Sequence, residues 1–511
     1  MKIKNPFSNS RFDRVEKLQR KISKKLIMLK PYLKERNKHD FLASLYHGLH
    51  YSSINEDISI PSGVQVDLLS ITVVDLVLVE EIPEIRNGIK RLLKLYPARF
   101  SFNNPNHVDE TFDNYLNNIH GSRWSNLGNI QFEENIKIGK LLHSINIQST
   151  QVSSSIIAIQ YRLIPSDAYL MELSQIINQN EVEEIVFKPS IKKIFKYWGS
   201  SHYDATYVKR RKIEDYILEL KWSFFSFLGS NHISSFFYKN KINSPSVLVY
   251  KIKQEYCSWE NRNYEHQFWD SIGLPMRYVE HSISEDGFWQ LYADSLSDSN
   301  IDDSIKITCN SLIELDSGYT DLDHQIIIQS DDLIKGLLSM LAIRRYTLFM
   351  SKQIAVFRVS IFKSIQNKKI KYKNILKQRL TIERNGHMLN RIKSEIQSGD
   401  YQNRAARMQL LSIKWEPADS KLYRGNWVKN IVANAEHLVN ETYRHSESLV
   451  KMIDTTLEIL TIQTNFSLQR RTIILTIVTI FLAIVTIYMT YYQITQESLI
   501  DLLDRMMNLL S

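Results

Sequence analysis

The longest apolar run in the chain covers residues 472–492, TIILTIVTIFLAIVTIYMTYY, which holds 21 positions without a charge. At about 1.5 Å per residue such a run reaches roughly 30 Å, the thickness of a bilayer hydrocarbon core. It predicts one transmembrane helix, because globular helices seldom stay apolar on every face over such a length. Arg470 and Arg471 precede the run, Tyr488, Tyr491 and Tyr492 cluster near its far end, and Glu497, Asp501, Asp504 and Arg505 follow. Positive charge before the span and a mostly acidic tail after it predict a single-pass protein with its N-terminal part in the cytosol. Within residues 493–511, Leu499, Leu502, Leu503, Met506 and Leu510 form an amphipathic stripe suited to lying in the membrane interface.

The residues leading into the span keep a helical period. Val428, Ile431, Ala435, Leu438, Thr442, His445, Leu449, Met452, Thr456, Ile459, Gln463 and Phe466 recur at heptad spacing, beside a second stripe through Val432, Val439, Tyr443, Val450, Ile453, Leu457 and Leu460. From residue 426 onward there is neither Gly nor Pro. One continuous helix of about 100 Å is therefore expected over 427–492, a stalk that passes from water into lipid. Upstream, Ile343, Tyr346, Met350, Ile354, Phe357 and Ile361 repeat every three or four residues, which predicts a long basic helix from about residue 331, with a break near Gly386. Gly399 and the Trp415, Glu416, Pro417 stretch mark a turn before the stalk. Residues 331–471 thus read as an antiparallel helical hairpin or bundle.

Residues 60–330 alternate differently. The Ile-rich stretch 153–164 reads as a strand; Pro165 and Ser166-Asp167 then start a helix carrying Tyr169, Leu170, Leu173, Ile176 and Ile177. Further strands are expected at 64–80, 246–253, 277–283, 288–294, 305–315 and 324–329, and Asp67 and Asp75 argue against a second span at 64–80. The last four strands follow one another without helices between them, which argues antiparallel sheet. The fold class is therefore an α+β cytosolic head, a long C-terminal helical stalk and one transmembrane helix. The parts are a basic helical segment (1–59), the head (60–330), the hairpin and stalk (331–471), the span (472–492) and the tail (493–511).

The charge distribution adds to this picture. Of a net charge of +9, residues 1–40 hold 13 Lys+Arg against 4 Asp+Glu. Residues 11–30 form a basic amphipathic pattern around Val15, Leu18, Ile22 and Leu26, suited to anionic headgroups or to its own domain, and lack the apolar core of a secretory signal. Residues 277–333 carry 13 acidic and 2 basic side chains; residues 341–393 carry 14 basic ones and Glu383. Such blocks fit docking between segments, an anionic surface or a solvated face. An anionic ligand or anionic lipid is thus a candidate partner. Trp198 and Trp222 flank Lys209, Arg210 and Arg211, but this mixture fits helix packing at a domain edge better than nucleic acid.

The span has an internal stripe of its own. Thr472, Thr476, Thr479, Ala483, Thr486 and Thr490 recur at steps of four and three on one side of the helix. Small and hydroxyl side chains allow close helix approach, which points to a homo-oligomer in the lipid membrane; a pore lining and a lone anchor remain open, since Thr also bonds its own backbone. No catalytic signature is present: there is no phosphate loop, no GxGxxG, no GxSxG and no HExxH. Neither catalytic nor cofactor-binding residues are assigned, and no cofactor is expected. Metal binding is not expected either. Cys257 and Cys309 are too few for a zinc knuckle, His39, Asp40, His47 and His50 lack a located further ligand, and Asp316, Asp321, Asp323 and His324 around Gly318 fit a solvated turn.

Taken together, an α+β head, stalk helices and the junction LEILTIQTNFSLQRRTIILTIVTIFLAIV resemble, over about residues 330–492, the layout of CorA-like divalent cation channels. The resemblance implies an oligomer in which movement of a cytosolic head is passed through a stalk to a bundle of membrane helices. Members of that family follow the first span with Gly-Met-Asn and a second span. This chain instead continues Tyr492, Gln493, Ile494, Thr495, so magnesium selectivity is not carried over. The expected function is a non-enzymatic, oligomeric membrane protein whose head senses a ligand or partner and controls a pore or permeability. The alternatives are a tethered scaffold that conducts nothing and an enzyme whose site is assembled from residues distant in sequence.

Overall fold

The fold is described from a computed structural model. It describes residues 64–98, 104–117, 124–152, 156–179, 184–188, 199–203, 205–233, 236–253, 279–282, 289–293, 304–366, 372–397 and 427–510. The basic segment 1–59, with His39, Asp40, His47 and His50, lies outside these residues, as do Trp198, Cys257, Gly399 and the stretch 415–417. The chain divides into two compact units, residues 1–349 with 388–441, and residues 350–387 with 442–511.

In the first unit the strands are β1 (Gln65–Leu78), β2 (Trp124–Gln131), β3 (Leu142–Gln151), β4 (Ile156–Pro165), β5 (Glu184–Lys188), β6 (Gly199–Tyr203), β7 (Ser246–Lys253), β8 (Val279–Ser282), β9 (Trp289–Ala293) and β10 (Ser304–Asn310). Eight of them form one sheet in the order β2-β3-β4-β1-β7-β10-β9-β8, and β5 pairs with β6 separately. All pairings in the large sheet are antiparallel except β7 with β10. The helices are α1 (Ile82–Leu95), α2 (Pro105–Asn117), α3 (Asp167–Asn178), α4 (Ala205–Ser230) and α5 (Phe236–Asn240), followed by three long ones, α6 (Leu322–Gln366), α7 (Tyr372–Gln397) and α8 (Trp427–Leu510).

Alternation along the central strands decides what covers each face of the sheet. Val66, Leu68, Ile71, Val73 and Val77 of β1 join Ile157, Ile159, Tyr161 and Leu163 of β4, and Leu248, Tyr250 and Ile252 of β7, in one buried cluster with α1–α4. Arg86–Asp113 and Lys90–Asp109 pairs, both at 2.5 Å, tie α1 to α2, and Tyr169 stacks on Tyr216 at 4.5 Å to tie α3 to α4. The opposite face, reached by Gln148, Gln160 and Arg162, meets α6. A sheet with helices on both faces must bury its central strands completely, and Ile71, Val73, Val74, Leu76, Val247 and Val249 are all inaccessible.

Asp75 is buried in the middle of β1, where its carboxylate accepts hydrogen bonds from the backbone N–H groups of Leu76 (2.8 Å) and Phe237 (2.9 Å). It thereby fixes the start of α5 against the sheet. Where the chain leaves α4, His232 adopts a left-handed conformation (φ 61°) and Ile233 folds back under α1. There Gly88 is required, because a Cβ at that position stands 2.4 Å from the Ile233 side chain.

Several sequence expectations meet the structure directly. The strand and helix around Ser166 form as expected, with Ser166 capping α3 by accepting from the Tyr169 N–H at 3.3 Å. The expected strand at 246–253 coincides with β7, whereas that at 305–315 ends with β10 at Asn310. The strand expected at 324–329 is instead the first turn and a half of α6. Asp321 caps that helix, accepting from the His324 N–H at 2.7 Å, so the long helix begins nine residues before the expected 331. The run of three isoleucines there reads as strand by propensity, but Ile326 alone of the three is fully buried.

In the second unit, Arg379 donates to Asp454 at 2.7 Å, and a Cβ on Gly386 meets the Ser446 hydroxyl at 3.0 Å. Seven residues forward on α7 thus match eight residues backward on α8, so the two helices run antiparallel. The expected break at Gly386 does not occur: the glycine removes a side chain where α8 comes close, and the helix continues through it. Along α8, burial follows Ala435, Val439, Thr442, Ser446, Leu449, Ile453 and Thr456, at alternating steps of four and three. The expected stripe shares Ala435, Thr442, Leu449 and Thr456 with this one. Its other members, Leu438, His445 and Met452, give way to Val439, Ser446 and Ile453, which leaves His445 in water. The helix also continues past residue 492, so the tail is its final part rather than a separate element.

The tight approach at Gly88 makes a test of the first unit. Gly88→Ala is expected to destabilise it by about 1–3 kcal/mol through overpacking against Ile233, seen as a lower denaturant midpoint. In an Ile233→Ala background the further loss from Gly88→Ala is expected to be smaller than in the native one, because the side chain it clashes with is gone.

Candidate membrane segment and a buried polar row

The final helix, α8, is 84 residues long, and its stretch Ala433–Leu509 contains a segment long and apolar enough to cross a membrane. Ala, Leu and Ile in its interior and the absence of Gly and Pro account for its continuity. Every residue from 472 to 492 is exposed, including Leu475, Ile477, Phe481, Ile487 and Tyr491. None of the described residues covers this surface. Among the described residues, this is the one helix that meets the criterion of length and apolarity.

The small-residue stripe is chemically self-sufficient. The hydroxyls of Thr472, Thr476, Thr479, Thr486 and Thr490 donate to the carbonyl oxygens of Leu468, Thr472, Leu475, Leu482 and Thr486, at 2.8–3.0 Å. Each donor is thus satisfied within the helix while the methyl group faces outward with Ala483. Arg470 and Arg471 end the polar part of α8 and are exposed. The predicted span residues and flanking arginines therefore lie on one helix, and the stripe is placed on one side of it.

A second constellation, not anticipated from the sequence, lies between the sheet and α6. The Arg162 guanidinium of β4 is ion-paired with the Asp331 carboxylate of α6, and both are buried. Gln148 of β3 donates to the same carboxylate at 3.0 Å and to Asn146 at 2.6 Å; Asn146 donates to Asn129 at 2.5 Å and to Asn126 at 3.0 Å. Gln160 donates to the Lys335 carbonyl at 2.8 Å, and the Lys335 ammonium sits 3.8 Å over the Trp124 ring. Burial pulls the Arg162 guanidinium down to about 10, so it is still charged at neutral pH and needs its partner. The row contains no histidine. Its chemistry is positional: it fixes the register of α6 on the sheet. The available signal was Gln160 and Arg162, two residues apart in an Ile-rich strand, since period-two polar positions in such a strand mark a polar row on one face.

The remaining candidates resolve into packing and capping. Lys209 is buried and donates to the Gln179 carbonyl, Arg210 pairs with Glu214 at 2.6 Å, and Trp222 stacks on Tyr238 at 5.6 Å. This basic and aromatic mixture belongs to the body of α4. Cys309 is buried in β10, and its thiol meets the Asn310 carbonyl at 3.6 Å. Asp321 caps α6, and the hydrogen bond from the His324 N–H holds its carboxyl below the usual range. Asp323 pairs with Lys251 at 2.6 Å, and Asp316 accepts from Gln329 at 3.3 Å. These carboxylates diverge, and among the described residues no group of His, Cys, Asp and Glu is arranged to hold a metal ion.

Comparison with known proteins adds no relative: no family model, no curated protein and no solved structure matches the chain.

The buried pair yields an asymmetric expectation. Removing one partner, as in Asp331→Ala, strands a buried charge and is expected to cost about 3–5 kcal/mol, whereas the joint change Arg162→Met, Asp331→Leu is expected to cost far less. Denaturant unfolding of the three proteins measures the difference.

Proposed function

We propose that this chain is a single-pass, self-associating membrane protein. Its α+β unit, on the cytosolic side, responds to a ligand or partner and sets membrane permeability through α8. The observation that carries the reading is the unbroken course of α8, one helix that holds both a buried heptad stripe and a fully exposed, charge-free segment of bilayer length. A helix without Gly or Pro lacks the residues at which sharp kinks form, so a displacement at one end is passed along it. The orientation rests on Arg470 and Arg471 before the span and the acidic tail after it. Self-association rests on the small-residue stripe, which brings helix backbones close in lipid. In this reading the protein acts without catalysis and without a cofactor.

A second reading is favoured by the threonine hydroxyls, each already bonded to its own backbone. Such a span needs no partner, and the chain would then tether its α+β unit to the membrane as a scaffold.

Ion flux from vesicles carrying the purified full-length chain separates the two. Flux that exceeds that of protein-free vesicles supports the first reading; tight vesicles with the protein inserted support the tether. Thr479→Leu with Thr486→Leu is expected to reduce cross-linked oligomers in the membrane severalfold, and unchanged cross-linking would remove self-association through this stripe.

A further inference from the structure

We infer that Asn465 and Gln469 of α8 form a docking surface for a second copy of this chain, whose α8 runs parallel and in register and whose amides hydrogen-bond to these amides. The inference deepens the proposed self-association and rests on the reading that residues 472–492 lie in the bilayer. Asn465 and Gln469 lead into Thr472 and Thr476 at the same steps of four and three that the span residues follow. Asn465 lies nine residues past Thr456, the last buried position of the packed stripe on α8. At about 3.6 residues per turn that is two and a half turns, which sets Asn465 on the opposite side of the helix. Both amides are exposed. Gln469 stands three residues before the charge-free run and Asn465 seven, roughly 5 and 10 Å along the axis, which puts Gln469 in the headgroup layer and Asn465 just outside it.

Hydrogen bonding sets these two side chains apart from their neighbours. The hydroxyls of Thr461, Thr464 and Thr472 donate to carbonyl oxygens of their own helix at 2.8–3.0 Å. Neither amide has a hydrogen-bond partner among the described residues. An amide is its own complement, since it carries two donors and an acceptor. Copies inserted in one bilayer share an orientation, so at a rotation axis along the membrane normal each residue meets its own equivalent at the same depth. Two Asn or two Gln side chains satisfy each other there, where two carboxylates or two ammonium groups would repel. The flanking side chains fit such a contact. At about 100° per residue, Arg470 and Arg471 are turned by about 100° or more from both amides, so two copies can approach without opposing their arginines. Leu468 and Ile473 border the amides on either side in an open groove along α8. Apolar side chains around an interhelical hydrogen bond lower the local dielectric and strengthen it. Toward the N-terminus the surface ends at the exposed Glu458, seven residues before Asn465 on the same side, where equal charges of two copies would meet.

The test uses the full-length chain in phosphatidylcholine vesicles. Asn465→Cys, Gln469→Cys and, on the opposite side of the helix, Ser467→Cys are oxidised in separate preparations, with the unsubstituted chain giving the background from Cys257 and Cys309. Severalfold more disulfide-linked dimer from Asn465→Cys and from Gln469→Cys than from Ser467→Cys is the expected result; yields no higher than that of Ser467→Cys overturn the inference. An amine cross-linker then tests the amides themselves. Asn465→Leu with Gln469→Leu is expected to lower the dimer severalfold, while Asn465→Gln with Gln469→Asn, which keeps both amides, is expected to retain it. Dimer unchanged in the leucine pair, or lost alike in both pairs, overturns the inference. An alkaline wash and the unsubstituted chain separate this failure from failure of the reading beneath it. A chain released by the wash overturns the membrane segment and the surface together, and a retained, unsubstituted chain that forms no dimer overturns self-association and the surface together. A retained chain whose dimers ignore these substitutions overturns the amide surface alone.

Discussion

Apolar surface that none of the described residues covers has to find another way out of water, and that constraint governs the rest of the molecule. The exposed residues 472–492 of α8 carry Ile, Leu, Val and Phe on every side except that of the threonine stripe, and at roughly 25 cal/mol for each Å² of apolar area left in water, such a surface favours lipid or another apolar partner over water. Because the same helix carries the buried heptad stripe, the apolar segment is an extension of the folded structure rather than an appendage on a linker. Any account of function has to begin from that continuity.

The second organising feature is the way the sheet holds α6. One face of the sheet is bound to its helices by an apolar cluster with aromatic contacts such as Tyr161 on Phe224. The other face engages α6 through Arg162, Gln160, Gln148 and their partners. Apolar packing tolerates small slides, while directional hydrogen bonds around a buried ion pair penalise them, since a displaced group is left desolvated and unpaired. The polar row therefore makes the seat of α6 specific. In the proposed function such a seat is where a change in the α+β unit would be felt by the long helices.

Much of this architecture was legible in the sequence. The bilayer-length apolar run and the long final helix follow from composition and from the lack of Gly and Pro. The strands at 64–80 and 246–253 and the helix start at Ser166 follow from local pattern and capping. What was not legible depends on neighbours. Gly386 reads as a helix breaker until α8 is placed against it, and the Ile run at 326–328 reads as a strand until Asp321 is seen to cap α6. The heptad stripe carries two nearly equivalent seams one residue apart; choosing the one with Ser446 requires knowing that a glycine faces it. Strands β2 and β3 escaped notice because polar residues sit on both of their faces: Gln148 reaches α6, while Ser125, Ser149 and Gln151 bond to α2, which leaves no clean alternation. Arg162 and Asp331 are far apart in sequence, and only the fold makes them a pair.

The most direct check is to locate the apolar segment relative to lipid. Full-length chain reconstituted in vesicles can be photolabelled with a carbene reagent that partitions into hydrocarbon, then mapped by peptide mass spectrometry. The account predicts that label concentrates within residues 472–492 and is sparse in α1–α5 and the sheet. Label absent from 472–492 in a folded, vesicle-associated protein would contradict it.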